Sequence, residues 1–125
     1  MSVLAAVTLT DDTIDGNLVD GGVGGAAGGN LGLGGNGGDG GLAQGGGIFV
    51  AMFSTVALSG GQIEQNVADG GVGGLGGLGG TNGATGQGVG GGVYLSSTGS
   101  TESGTKITGN KASTSHNNIF GSFGS

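Results

Sequence analysis

In three short stretches of the chain, large apolar residues occupy every second position, which is the period of a β-strand with one buried face. The stretches are 7–9 (VTL), 56–58 (VAL) and 93–95 (VYL). Glycine, serine, asparagine and aspartate are frequent between these stretches, and these residues favour turns. The pattern therefore predicts short β-strands joined by tight turns.

The strand pattern belongs to an internal repeat. Residues 7–25 align without a gap on residues 56–74, which lie 49 positions later, and residues 105–113 form a third copy. The three copies share an isoleucine and an asparagine at equivalent positions: Ile14, Ile63 and Ile107, and Asn17, Asn66 and Asn110. A second motif recurs downstream of each copy: GGGIFV (45–50), GGGVYL (90–95) and HNNIFG (116–121).

The glycine-rich tracts are insertions in this repeat. The interval from the shared asparagine to the second motif is 31, 27 and 9 residues in the three copies (Asn17 to Ile48, Asn66 to Val93, Asn110 to Ile119). The third copy keeps both motifs and lacks the glycine tract, so the basic unit is roughly 26 residues long. The inserts span approximately 20–45 and 69–90.

A repeat of this length with short strands is typical of a β-solenoid, in which each turn stacks on the last at about 4.8 Å. The 125 residues then form one domain, 1–125, of about three turns. Equivalent isoleucines form a ladder inside the stack. Equivalent asparagines form a second ladder at a corner, where side-chain amides bond along the stack.

The repeated motifs, VALSGGQIEQNVADGG (56–71) followed by GGGVYL (90–95), resemble the repeats of bacterial right-handed parallel β-helix proteins. The resemblance is to polymorphic outer-membrane proteins and adhesins, and it covers nearly the whole chain. It implies a short right-handed parallel β-helix and a bacterial extracellular or cell-surface location. The two glycine inserts depart from that family and look more like the glycine-rich repeats of mycobacterial surface proteins or phage tail-fibre tips.

Glycine pairs recur every three residues within the inserts, as in GGVGGLGGLGG (70–80). Three residues per turn is the period of an extended polyproline-II-like helix, which glycine also adopts. Such a helix has no internal hydrogen bonds, so it requires neighbours that pack backbone to backbone. We therefore expect polyglycine-II-like inserts that pack against one another in successive turns.

Composition and charge limit the classes of partner that the chain is expected to bind. Glycine supplies 38 residues, 34% of the chain is hydrophobic and only 8% is charged, which favours collapse or assembly over a solvated coil. The net charge is −6 and only Lys106 and Lys111 are basic, so we expect no nucleic acid and no anionic membrane surface as partner. No apolar run approaches the ~20 residues of a membrane span, so we expect no membrane insertion. The chain has no cysteine, which excludes disulfides and thiolate metal sites.

No motif in the sequence predicts catalysis, a cofactor or a metal. GxGxxG occurs at 32–37 and 74–79, but glycine at this density produces the pattern by chance. Weaker alternatives are a calcium ion at Asp39, in GGNGGD, and a cation shared by Asp20 and Asp69. The single histidine, His116, lies in the polar run STSHNN, where we expect an exposed loop residue and not a base. The chain has no arginine and its acidic residues are distributed along corners, so we expect no enzyme.

The sequence thus predicts a structural subunit of an extracellular filament or surface layer, a homopolymer formed head to tail through open solenoid ends. The alternative is an adhesin or tail-fibre-tip-like binding module that recognises a cell-surface glycan or receptor. In that alternative the ligand contacts the inserts and two outward aromatic rings, Phe49 and Tyr94.

Overall fold

The computed structural model describes residues 5–28 and 34–124, which form fourteen short β-strands and no helix. The first layer contains β1 (Ala6–Thr10), β2 (Thr13–Asp15), β3 (Leu18–Asp20), β4 (Ala43–Gln44) and β5 (Ile48–Val50). The second contains β6 (Thr55–Ser59), β7 (Gln62–Glu64), β8 (Val67–Asp69), β9 (Gly88–Val89) and β10 (Val93–Leu95). The third contains β11 (Thr101–Ser103), β12 (Lys106–Thr108), β13 (Lys111–Ala112) and β14 (Ile119–Phe120).

The layers stack through parallel strand pairing, and the second layer lies in the middle. Four three-stranded sheets run through the stack, β1-β6-β11, β2-β7-β12, β3-β8-β13 and β5-β10-β14, and β4 pairs with β9. The described residues contain no helix long and apolar enough to cross a membrane.

The strand register places equivalent repeat positions directly above one another. Ile63 pairs with Ile14 on one side and with Ile107 on the other. The core is densest in the second layer, where Ile63 is 2% exposed, because only this layer is covered on both sides. The other buried members of the cluster are Val50, Val56, Leu58, Val93 and Leu95.

Each layer turns at the same three corners, where one residue takes the left-handed backbone conformation with φ between 54° and 73°. The equivalent residues are Asp11, Gly60 and Gly104; Gly16, Gln65 and Gly109; and Gly45, Gly90 and His116. Glycine adopts this conformation without steric cost, and aspartate tolerates it better than most residues. The corners therefore repeat with the strands.

Replacement of Ile63 by Asp should abolish folding, because it places an unpaired carboxylate in the only layer that is buried from both sides. Leu75→Asp is the matched control, because Leu75 is 68% exposed. Circular dichroism and denaturant unfolding of both variants test the assignment. A folded Ile63→Asp variant, or equal damage from Leu75→Asp, would contradict it.

Candidate functional site

The three repeated asparagines form one hydrogen-bonded row along the stack. The backbone N–H and Nδ2 of Asn17 both donate to Oδ1 of Asn66, at 3.0 and 2.9 Å. The same two groups of Asn66 donate to Oδ1 of Asn110, both at 3.0 Å. Asn66 is fully buried and Asn110 is 4% exposed. A buried amide with unmet donors is costly, so the row fixes the register of the layers.

The row continues to a fourth asparagine that the repeat did not predict. The backbone N–H and Nδ2 of Asn110 donate to Oδ1 of Asn118, at 3.3 and 3.1 Å. Asn118 occupies the position equivalent to Gly47 and Gly92. The residues that follow these three, Ile119, Ile48 and Val93, pair in register across β14, β5 and β10. The exchange of glycine for asparagine in the third copy of the second motif was visible in the sequence.

Glycine at the two earlier positions makes room for the row. A Cβ atom at Gly47 would lie 3.0 Å from Nδ2 of Asn66, and one at Gly92 would lie 2.7 Å from Nδ2 of Asn110. Side chains there would collide with the amides. These glycines belong to the site although they carry no polar side chain.

The two aromatic residues singled out in the sequence lie in a second row, with Phe120 as a third member. The rings of Phe49 and Tyr94 stack with centroids 5.4 Å apart, and those of Tyr94 and Phe120 with centroids 4.5 Å apart. The edge of His116 meets Phe120 at 5.0 Å. The stacked faces contact one another, so the row stabilises the layers and leaves little ring face for a ligand.

The glycine-rich inserts run as four segments, which we number in chain order: segment 1 (21–28), segment 2 (34–42), segment 3 (70–78) and segment 4 (80–87). Backbone hydrogen bonds of 2.7–3.1 Å join neighbouring segments at every third residue. Segment 1 donates to segment 3 from Gly24 and Ala27, and its Gly21 donates to the residue just before segment 3. Segment 3 donates to segment 2 from Gly71, Gly74 and Gly77. Backbone hydrogen bonds of the same kind join segment 2 to segment 4. They also join the two segments within each insert, segment 1 to segment 2 and segment 3 to segment 4.

This packing explains the glycine period in segment 3. Cβ atoms at Gly73 and Gly74 would lie 2.0 and 2.1 Å from carbonyl oxygens of segments 4 and 1, so two of every three positions accept no side chain. The third position points outward and carries Val72, Leu75 and Leu78, all more than 60% exposed.

Acidic and amide side chains on segment 2 have a structural role. Oδ1 of Asn36 accepts a hydrogen bond from the backbone N–H of Thr81 at 3.1 Å, and Oδ1 of Asp39 accepts one from Ala84 at 2.8 Å. Both side chains are exposed, and they join segment 2 to segment 4 beside the backbone bonds. Asp39 is therefore part of the insert packing as well as solvated.

The remaining titratable candidates do not form a reaction site. Asp20 and Asp69 pair in register on β3 and β8 and are exposed, but no cluster of three or more potential metal-binding side chains occurs in residues 5–28 and 34–124. His116 is exposed and contacts the hydroxyl of Ser115. Of the two glycine motifs, 74–79 lies in segment 3 and the turn that follows it, whereas 32–37 lies partly outside the described residues.

A surface depression of about 590 Å³ has no titratable side chain among its lining residues, which include Met52, Phe53, Leu95 and Ser97. Comparison of the chain with protein-family models, curated proteins and solved structures finds no match. Interpretation of the site therefore depends on its own geometry.

The insert packing predicts opposite effects of two glycine substitutions. Gly74→Ala should destabilise the protein by about 2 kcal/mol or more, because its Cβ would overlap a carbonyl oxygen. Gly22→Ala should change stability by less than about 1 kcal/mol, because no heavy atom lies within 4 Å of its Cβ. Urea unfolding measures both, and equal effects would show that segments 1 and 3 do not pack.

Proposed function

We propose that the chain is a short right-handed β-solenoid with polyglycine-II-like inserts, and that it is a non-enzymatic structural subunit of a bacterial extracellular filament or surface layer. The observation that carries the proposal is the outer side of the first layer. Among the described strands, β1, β2, β3 and β5 are paired on one side only. Open strand edges are a recognised route to association between chains.

Apolar rows reach the same open edge. Val7 is 51% exposed at this end, and Leu9 and Ile14 are partly buried, whereas their second-layer partners are buried. A further layer stacked in register would cover these side chains as the second layer covers its neighbours. Head-to-tail stacking would place Ile107 of one subunit beneath Ile14 of the next.

The two ends of the stack carry opposite charges. The first layer has five exposed aspartates and no basic residue in its described part: Asp11, Asp12, Asp15 and Asp20 on or beside its strands, and Asp39 in its insert. The third layer carries both lysines of the chain. Opposite charges favour a head-to-tail contact over a contact between two identical ends.

An existing ion pair shows the geometry that such a contact would use. Lys106 pairs in register with Gln62, and its Nζ lies 3.9 Å from the carboxylate of Glu64, two residues further along the middle strand. In the next subunit, Asp15 occupies the position equivalent to Glu64. Stacking in register therefore offers Lys106 a second carboxylate on the same diagonal.

One residue of the third layer opposes the contact. Glu102 continues the row of Leu9 and Leu58, and its carboxylate would face Leu9 of the next subunit. Its Oε1 accepts a hydrogen bond from the backbone N–H of Thr105 at 2.6 Å, which directs the charge to its own loop. This arrangement reduces the cost of a carboxylate at the junction without removing it.

The second candidate function is an adhesin or tail-fibre-tip-like module that binds a cell-surface glycan or receptor. It is favoured by the outward row on segment 3, where Leu75 is 68% and Leu78 is 80% exposed. Exposed apolar residues that cluster on a surface often mark an interaction site. The aromatic row supports this function less, because Phe49 and Tyr94 use their faces to stack.

The filament proposal predicts head-to-tail polymers of the purified chain with an axial rise of roughly 14 Å per subunit, three layers of about 4.8 Å. High salt should weaken these polymers, because it screens the lysine–aspartate attraction between unlike ends. Electron microscopy and sedimentation velocity at low and high salt test both points. A monodisperse monomer at high concentration would favour the binding module instead.

A further inference from the structure

The third-layer end differs from the first-layer end in how its polar groups are satisfied. At the first-layer end, no donor among the described residues reaches Oδ1 of Asn17, although its N–H and Nδ2 both donate to Asn66. At the third-layer end, the equivalent donors of Asn110 are both taken up by Asn118 of the same chain. One end of the amide row thus has a free acceptor, and the other has donors that are already occupied.

Asn118 uses the geometry of the row itself. Asn66 and Asn110 each accept two hydrogen bonds at Oδ1, from the backbone N–H and the Nδ2 of the asparagine in the layer before. Asn118 accepts the same pair from Asn110. Its side chain therefore occupies the position that the asparagine of a fourth layer would take.

Other side chains close this end in a similar way. The hydroxyl of Ser113 accepts a hydrogen bond from the backbone N–H of Gly70 at 2.9 Å, and that of Thr114 accepts one from Gly88 at 3.2 Å. Asn117 also accepts one, from Ala112 within its own layer at 3.0 Å. These contacts do not block the amide row, so Asn118 is the residue that an incoming layer must displace.

We infer that the third-layer end is a docking surface for the first layer of a second copy of this chain, and that Asn118 is an intramolecular stand-in for Asn17 of that copy. The inference rests on the proposed head-to-tail assembly. On docking, Oδ1 of the incoming Asn17 replaces Oδ1 of Asn118 as the acceptor for Asn110. Asn118 is half-buried, and on docking its whole side chain has to move aside, because a Cβ at the equivalent Gly47 or Gly92 would lie 3.0 or 2.7 Å from the amide of the following layer.

The exchange leaves the number of hydrogen bonds to Asn110 unchanged, so these bonds add little net affinity to the contact. A tethered group also competes at a high effective concentration against a free subunit. Asn118 therefore raises the concentration at which subunits assemble, and it does so without weakening the monomer.

The test compares Asn118→Gly with Asn117→Gly. Each substitution introduces the glycine that the first and second layers have at the equivalent position. These glycines are Gly47 and Gly92 for residue 118, and Gly46 and Gly91 for residue 117. Only Asn118→Gly frees the donors of Asn110. Asn118→Gly should lower the critical concentration for assembly roughly 10-fold, the effect of about one hydrogen bond, and Asn117→Gly, which frees only the backbone N–H of Ala112, should lower it by less. Sedimentation and light scattering over a range of protein concentrations measure the critical concentration of each variant.

A second variant keeps the inference falsifiable if Asn118→Gly does not fold. Asn118→Asp retains the acceptor and strengthens it with a charge, so its critical concentration should exceed that of the wild type. Filaments that form equally well from the wild type, Asn118→Gly and Asn118→Asp would overturn the stand-in role and leave the proposed function in place. Failure of all of these proteins to assemble would overturn both.

Discussion

Hydrogen bonding between layers is the interaction on which this structure depends. Every described strand pairs in parallel with its equivalent in the next layer, so each side chain has its own repeat partner as its neighbour. A position is stable only when its residue can stack on its equivalent, as isoleucine does inside the core and asparagine does at the corner. The two residue types stabilise the stack in different ways. Isoleucine removes apolar surface from water, and asparagine supplies both a hydrogen-bond donor and an acceptor.

The inserts obey the same constraint with a different period. Two of three residues in segment 3 face other backbones at distances that exclude a Cβ atom, and backbone bonds recur at every third residue. Glycine is costly to order, and these bonds together with the close packing offset that cost. The surface that remains is apolar on segment 3 and polar on segment 2, where Asn36 and Asp39 also bond to segment 4.

The repeat in the sequence was sufficient to predict the strands and the rows of Ile63 and Asn66, because these features occur three times and reinforce one another. Features that occur once were missed. Asn118 replaces a glycine in one layer only, and Glu102 interrupts a leucine row. A single departure from a repeat has no internal comparison, so its meaning depends on the neighbours that the three-dimensional register supplies.

Residue-resolved amide hydrogen exchange across 70–87 tests the central claim most directly, because it reports the backbone bonds of this insert both to the first-layer insert and between its own two segments. The account predicts protection that recurs every third residue, at Gly71, Gly74 and Gly77 and again at Gly83 and Gly86, whose N–H groups donate to neighbouring segments. Val72 and Leu75, which donate no backbone hydrogen bond to any described residue, should exchange quickly. Uniformly fast exchange throughout 70–87 would contradict the account.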